Sequence, residues 1–192
     1  MMELAHKKEI ILEREMAFAD AIGTSVLDKP KVSYWMVFIP ILFLYFIYRM
    51  QSYKSERLKF SEEFMITRRR AMDVALETAA TGDSPDMVDV TRNSGLSEPL
   101  LKPYVSWVNA LVDYYLELLA AEGGCFESIV RAAYHNRSNY LLTLNRLNTV
   151  EKAFYTVLKP RLAATEGAAD IITRIESQSR GLRLELADQI FR

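Results

Sequence analysis

Apolar positions are arranged along this chain in two ways. From Val32 to Tyr48 they are continuous: the stretch reads VSYWMVFIPILFLYFIY and holds no charged side chain. Everywhere else they recur at helical spacing. Leu4, Ile11 and Phe18 stand seven apart, with Ala5, Leu12 and Ala19 beside them and Ile22 extending the row. This predicts an amphipathic helix over 3–22, interrupted on its apolar side by Glu15 and ended by Gly23-Thr24-Ser25. Its polar face is rich in Glu, whereas helices lying on lipid carry a basic face, so packing against a partner or its own chain is favoured. Residues 28–31, with Pro30, form a turn before the uncharged stretch.

Beyond Tyr48 the helical period returns. Tyr53, Phe60, Phe64, Ala71, Ala75 and Ala79 share a stripe with Met72 and Leu76 beside it, predicting a helix to about Ala80. Arg68-Arg69-Arg70 interrupts it and is read as a solvated face pairing with Asp73 and Glu77. Gly82-Asp83-Ser84-Pro85 ends that helix, and residues 86–95 have room for one short helix. Ser97 is placed as an N-cap, with Pro99 in the first turn. Two apolar stripes follow, one through Leu100, Tyr104, Trp107, Leu111, Tyr114 and Leu118, the other through Leu101, Val105, Val108, Val112, Tyr115 and Leu119. A helix so widely apolar belongs at the centre of a bundle, with Trp107 and the tyrosines in the core. Gly123-Gly124 breaks the chain. A short helix runs from Cys125 to His135, and Asn136-Arg137-Ser138 is a capped break. A further helix covers 139–159 and is stopped or kinked by Pro160. After a turn at Thr165-Glu166-Gly167, the last helix uses Ile171, Ile172, Ile175, Leu182, Leu186 and Ile190.

The uncharged stretch is read as a membrane segment. Its 17 residues would span about 25 Å as a helix, near the lower limit for a hydrocarbon core of about 30 Å. Lys29 and Lys31 stand before it and Arg49 after it. Tyr34 and Trp35 at one end, and Tyr45 and Tyr48 at the other, suit the headgroup boundary. Pro40 lies in the middle. A kinked spanning helix is expected, ahead of a re-entrant hairpin with Pro40 at its tip and both flanks on one side. The segment lacks a small-residue cleavage site and is expected to persist as an anchor.

Charge bears on orientation. Residues 1–31 carry a net −1, residues 49–70 a net +4 and residues 71–192 a net −4. The excess of Lys and Arg after the stretch places the C-terminal part in the cytoplasm and the N-terminus outside, a single-pass arrangement that Lys29 and Lys31 oppose. The fold class that follows is all-α: one membrane segment with an antiparallel helical bundle C-terminal to it. The divisions are an N-terminal helix and turn (1–31), the membrane segment (32–50), a juxtamembrane helix (51–82) and a bundle domain (83–192).

Candidate chemistry changes this picture little. Phosphate loops, glycine-rich fingerprints and HExxH are absent from the sequence. His6 and His135 have no metal-ligand spacing, and Glu117, Glu122, Glu127 and His135 do not form the Glu-x-x-His pair of di-iron bundles. Cys125, the sole cysteine, is read as a half-buried hydrophobe. Residues 91–97 are similar in pattern to the turn of a helix-turn-helix. However, the helix that follows carries Pro99, Pro103 and one early cation, Lys102, and the region is acidic, which disfavours nucleic acid. No cofactor, metal or catalytic residue is assigned, and the chain is not read as an enzyme. The sites assigned are those of the membrane interface: Lys29, Lys31, Tyr34, Trp35, Pro40, Tyr45, Tyr48 and Arg49. The expected partners are the lipid bilayer and a protein, either a second copy or another chain. The expected role is to hold that assembly at the membrane. The alternative is a membrane-tethered ligand-binding module or enzyme built on the aromatic-rich helix 97–121.

Overall fold

The structure is a computed structural model that describes residues 2–27, 40–87, 96–162 and 168–192, with residues 2 and 40–53 described by backbone alone. Six α-helices are found among these residues: α1 (Met2–Val26), α2 (Pro40–Thr81), α3 (Glu98–Ala120), α4 (Phe126–Tyr134), α5 (Arg137–Leu158) and α6 (Ala168–Ile190). A 3-10 turn, Lys159–Leu162, follows α5. This is the helical bundle that the spacing of apolar residues predicts.

Five of the helices close a ring. α1 packs on α2, α2 on α3, α3 on α5, α5 on α6, and α6 on α1 again. The expected amphipathic N-terminal helix is thus docked on its own chain and closes the circuit. Ile11, Ala19, Ile22 and Val26 are among its buried residues. They join one continuous core with Ala71, Met72 and Ala75 of α2, nearly the whole inner face of α3, and Leu144, Leu147, Ile172 and Ile190. Trp107 is in this core as expected, stacked on Phe154 with ring centres 5.5 Å apart. Burying such side chains contributes about 25 cal/mol per Å2 of apolar surface removed from water, the main term holding the ring together.

Cross-links fix the directions. α1 is antiparallel to α2: Lys8 pairs with Asp73, Glu15 with Arg68, and Asp20 with Ser61. α1 is likewise antiparallel to α6, where Arg183 lies over Phe18 and Arg174 bonds the carbonyl of Val26. α3 and α5 oppose each other through Asp113–Arg146 and Trp107–Phe154, as do α5 and α6 through Glu151–Arg183 and Lys159–Glu176. These directions leave α2 and α3 as parallel neighbours. A parallel pair needs a connection as long as the bundle, and the chain has residues 82–97 between these two helices.

Local chemistry sets several boundaries differently from expectation. α1 continues through Gly23 to Val26. The Thr24 and Ser25 hydroxyls bond back to the carbonyls of Asp20 and Ile22, so these residues satisfy the helix end without breaking it. Gly23 serves close packing: a Cβ there would lie 3.0 Å from the Phe60 ring. Ser97 occupies the N-cap of α3, but its side chain does not cap the helix; its hydroxyl accepts from Arg161 at 3.1 Å. Cys125 is exposed, not half-buried. It starts α4, and Ser128 bonds its backbone N–H and carbonyl. Gly123 has φ 158°, and a Cβ on it would lie 2.6 Å from the Ile129 nitrogen. His135 ends α4 with a positive φ of 63°, and Asn136 caps α5 by accepting from the Asn139 N–H. The short helix expected within 86–95 and the turn at 165–167 lie largely or wholly outside the described residues.

The kinked spanning helix is not found. Pro40 is the first residue of α2, where its fixed φ suits the helix and its missing N–H costs nothing, so it starts this helix and does not kink it. Among the described residues no helix is long and apolar enough to cross a membrane. α2 is long, but its uncharged part runs only from Pro40 to Tyr48 before Arg49. Residues 32–39 of the stretch lie outside the described residues.

Candidate functional site

The centre of the ring holds an unexpected cluster of charges. Glu15 of α1, Arg68 of α2, Glu151 of α5 and Arg183 of α6 form an alternating chain. Arg68 Nε donates to Glu15 Oε2 at 2.9 Å, and Arg68 Nη2 lies 3.6 Å from Glu151 Oε1. Arg183 Nη1 donates to Glu151 Oε2 at 2.7 Å and also to the Asn148 side-chain oxygen. Tyr155 donates to the same Glu151 carboxylate at 3.4 Å. Arg68, Glu151 and Arg183 are buried, and the Glu15 side chain keeps 14% of its surface.

The surroundings keep these groups charged. Burial works against the Glu151 carboxylate, but Arg183 and Arg68 outweigh it and hold its pKa below the ordinary value. For Arg68, burial opposes the guanidinium while Glu15 and Glu151 favour it, and the net shift is upward. The Arg68 guanidinium also lies 3.8 Å from the Phe64 ring centre, a cation–π contact that replaces part of its lost hydration. Burial pushes the neighbouring Tyr115 and Tyr155 phenols well up, keeping them neutral. Two cations and two anions thus cancel within one largely buried site.

Arg68 therefore leaves the solvated face assigned to the arginine triplet. Arg69 makes a surface ion pair there, with Glu62 at 3.0 Å, and Asp73 pairs with Lys8. All four members of the cluster sit on buried rows: Glu15 between Ile11 and Ala19, Arg68 between Met65 and Met72, Glu151 between Leu147 and Phe154, and Arg183 between Ser179 and Ala187. A charge on a buried row was the available signal. Its partner, however, lies 32 to 83 residues away in sequence, which spacing within one helix cannot reveal.

A cavity of about 200 Å3 opens beside the cluster between α1, α3, α5 and α6. Phe18, Leu111, Leu147 and Leu186 give it apolar walls, and Glu15 and Arg183 are among its lining residues. Tyr114 and Tyr140 also line it, their hydroxyls 3.4 Å apart. Burial raises both phenols, Tyr140 to about 12. The arrangement can accept an apolar molecule and offer it a polar end. Among the described residues no group of three or more His, Cys, Asp or Glu could hold a metal ion.

The membrane-interface residues assigned from sequence are elsewhere. Lys29, Lys31, Tyr34 and Trp35 lie outside the described residues. Pro40 begins α2, and Tyr45, Tyr48 and Arg49 follow on its first turns, where only the backbone is described. The class defined by these observations is an all-α bundle closed around a buried ionic cluster. Comparison with protein-family models, with curated proteins and with solved structures found no match.

Proposed function

We propose that this protein is a membrane-anchored helical interaction or assembly protein, which holds a partner or its own oligomer at the bilayer with the bundle on the cytoplasmic side. The observation that carries the reading is the uncharged stretch 32–48, fenced by Lys29, Lys31 and Arg49 and joined directly to a helical bundle. Leu58 and Ile66, exposed large apolar side chains eight residues apart on α2, support a packing surface on its outer face. Carbonate extraction and crosslinking of the full chain test the proposal. Retention in the membrane and a crosslinked oligomer or partner are the expected results. Release by carbonate, or a strictly monomeric chain without a partner, would count against it.

The cavity beside helix 98–120 favours a second reading, a membrane-tethered ligand-binding module. Leu147→Trp would fill the cavity from its wall. If the cavity takes apolar ligands, this change should abolish binding of an apolar fluorescent probe while leaving membrane retention unchanged.

A further inference from the structure

We infer that the uncharged stretch enters and leaves the bilayer on one face, so that α1 and the rest of the bundle lie on the same side. The inference rests on the membrane reading above and adds a topology to it. Its basis is the register of α1 against α2. The cross-links step along the two helices in opposite directions, from Lys8–Asp73 through Glu15–Arg68 to Asp20–Ser61, and Gly23 meets Phe60 and Arg57. Extending this register brings Val26 level with about residue 56. The C-terminal end of α1 and the part of α2 nearest the stretch therefore lie at the same end of the bundle.

A transbilayer pass would instead put those flanks on opposite faces, about 30 Å of hydrocarbon apart. α1 would then have to leave the ring. Ile11, Ala19, Ile22 and Val26 would lose their cover, and Arg68 would lose its partner Glu15. A one-faced insertion keeps every one of these contacts.

The start of α2 agrees with it. Pro40 begins the helix, and the part of it from Pro40 to Tyr53 is about 21 Å long. Pro40 also stands midway between Lys31 and Arg49, nine residues from each. In α2 the nine-residue step from Pro40 to Arg49 rises about 13 Å, which reaches near the middle of a 30 Å core and no further. Tyr34 and Trp35 on one flank and Tyr45 and Tyr48 on the other then have sequence positions suited to one headgroup layer. A proline at the deepest point removes one backbone donor where none can be hydrated. The conflict between Lys29 and Lys31 and the cations after the stretch disappears, because all of them lie on one face.

Thiol labelling in sealed membranes of a single expression host tests this. Exposed Cys125 reports the bundle in the natural chain, and E9C in a C125S background reports the exposed face of α1. A membrane-impermeant maleimide is added to intact spheroplasts and to inside-out vesicles. Both positions should react in the vesicles and neither in the spheroplasts. The reverse pattern at both positions would still support insertion from one face, with the orientation inverted. Labelling of residue 9 and of Cys125 from opposite sides would overturn the inference while leaving the anchor intact. Release of the natural chain by carbonate would instead remove the membrane reading itself, and this inference with it. Proteolysis of an N-terminal tag under the same two conditions repeats the α1 measurement without a substitution.

Discussion

Arg68 is the residue on which most of the buried chemistry converges. It is fully buried, and it touches Glu15, Glu151 and the Phe64 ring. Removing one partner from a buried ion pair leaves the other charge uncompensated, which costs about 3–5 kcal/mol. Arg68→Ala and Glu151→Ala should each lose stability on that scale in urea unfolding. Glu15→Ala should lose less, because water reaches the Glu15 carboxylate. Replacing the four charges together by Leu and Met should recover much of the loss, since well-packed apolar groups often match a buried ion network. The pH dependence has a definite sign. Glu151 has a depressed folded pKa, so its contribution is present above the unfolded carboxylate value, about 4.3, and is lost as the pH falls through the lower folded value. Tyr140 is raised to about 12. Its contribution is present below an unfolded value of about 10 and is lost as the pH climbs toward 12. Stability measured from pH 2 to 12 should fall at both ends, and the acid loss should shrink in Glu151→Gln. The apolar rows made most buried residues legible in the sequence. They did not reveal why four charges sit on those rows, because each charge is tolerable only beside a partner on another helix.

At the scale of elements, close approach decides which glycines matter. Gly23 lets α1 lie against Phe60, and Gly123 takes a backbone conformation that a side chain resists. Gly23→Val should separate α1 from α2 and lower the melting temperature. Gly123→Ala should destabilise the start of α4 through both its positive φ and the short approach to Ile129. Thermal unfolding followed by circular dichroism checks both. The same effect explains a helix end that was misplaced from sequence. Gly23-Thr24-Ser25 has the composition of a break, yet the side-chain hydroxyls bond within the helix and the glycine answers to a neighbour 37 residues further on. Boundaries set by local chemistry alone fell closer: Asn136 provides the cap expected in the break at 136–138, although the helix already starts at Arg137, and Pro160 follows its end as the sequence placed it.

For the whole molecule, the ring makes α1 a structural member of the bundle. A chain beginning at residue 28 would uncover the sides of α2 and α6 and strip Glu15 from Arg68. It should lose cooperative unfolding and bind hydrophobic dye, whereas a peptide of residues 1–27 added in trans should partly restore the transition. Sequence alone determined the all-α class, the main helices, their apolar faces and the uncharged stretch with its flanking cations. These follow from local composition and from a 3.6-residue period that any helix must obey. Tertiary structure decided which helices are neighbours, that α1 closes the ring, and that Arg68 meets Glu15 and Glu151. It also decided that the C-terminal end of α1 lies beside the part of α2 around Arg57 and Phe60. The physical reason is common to all four: each depends on the direction in which one helix lies against another. Periodicity along a single helix carries no record of that direction.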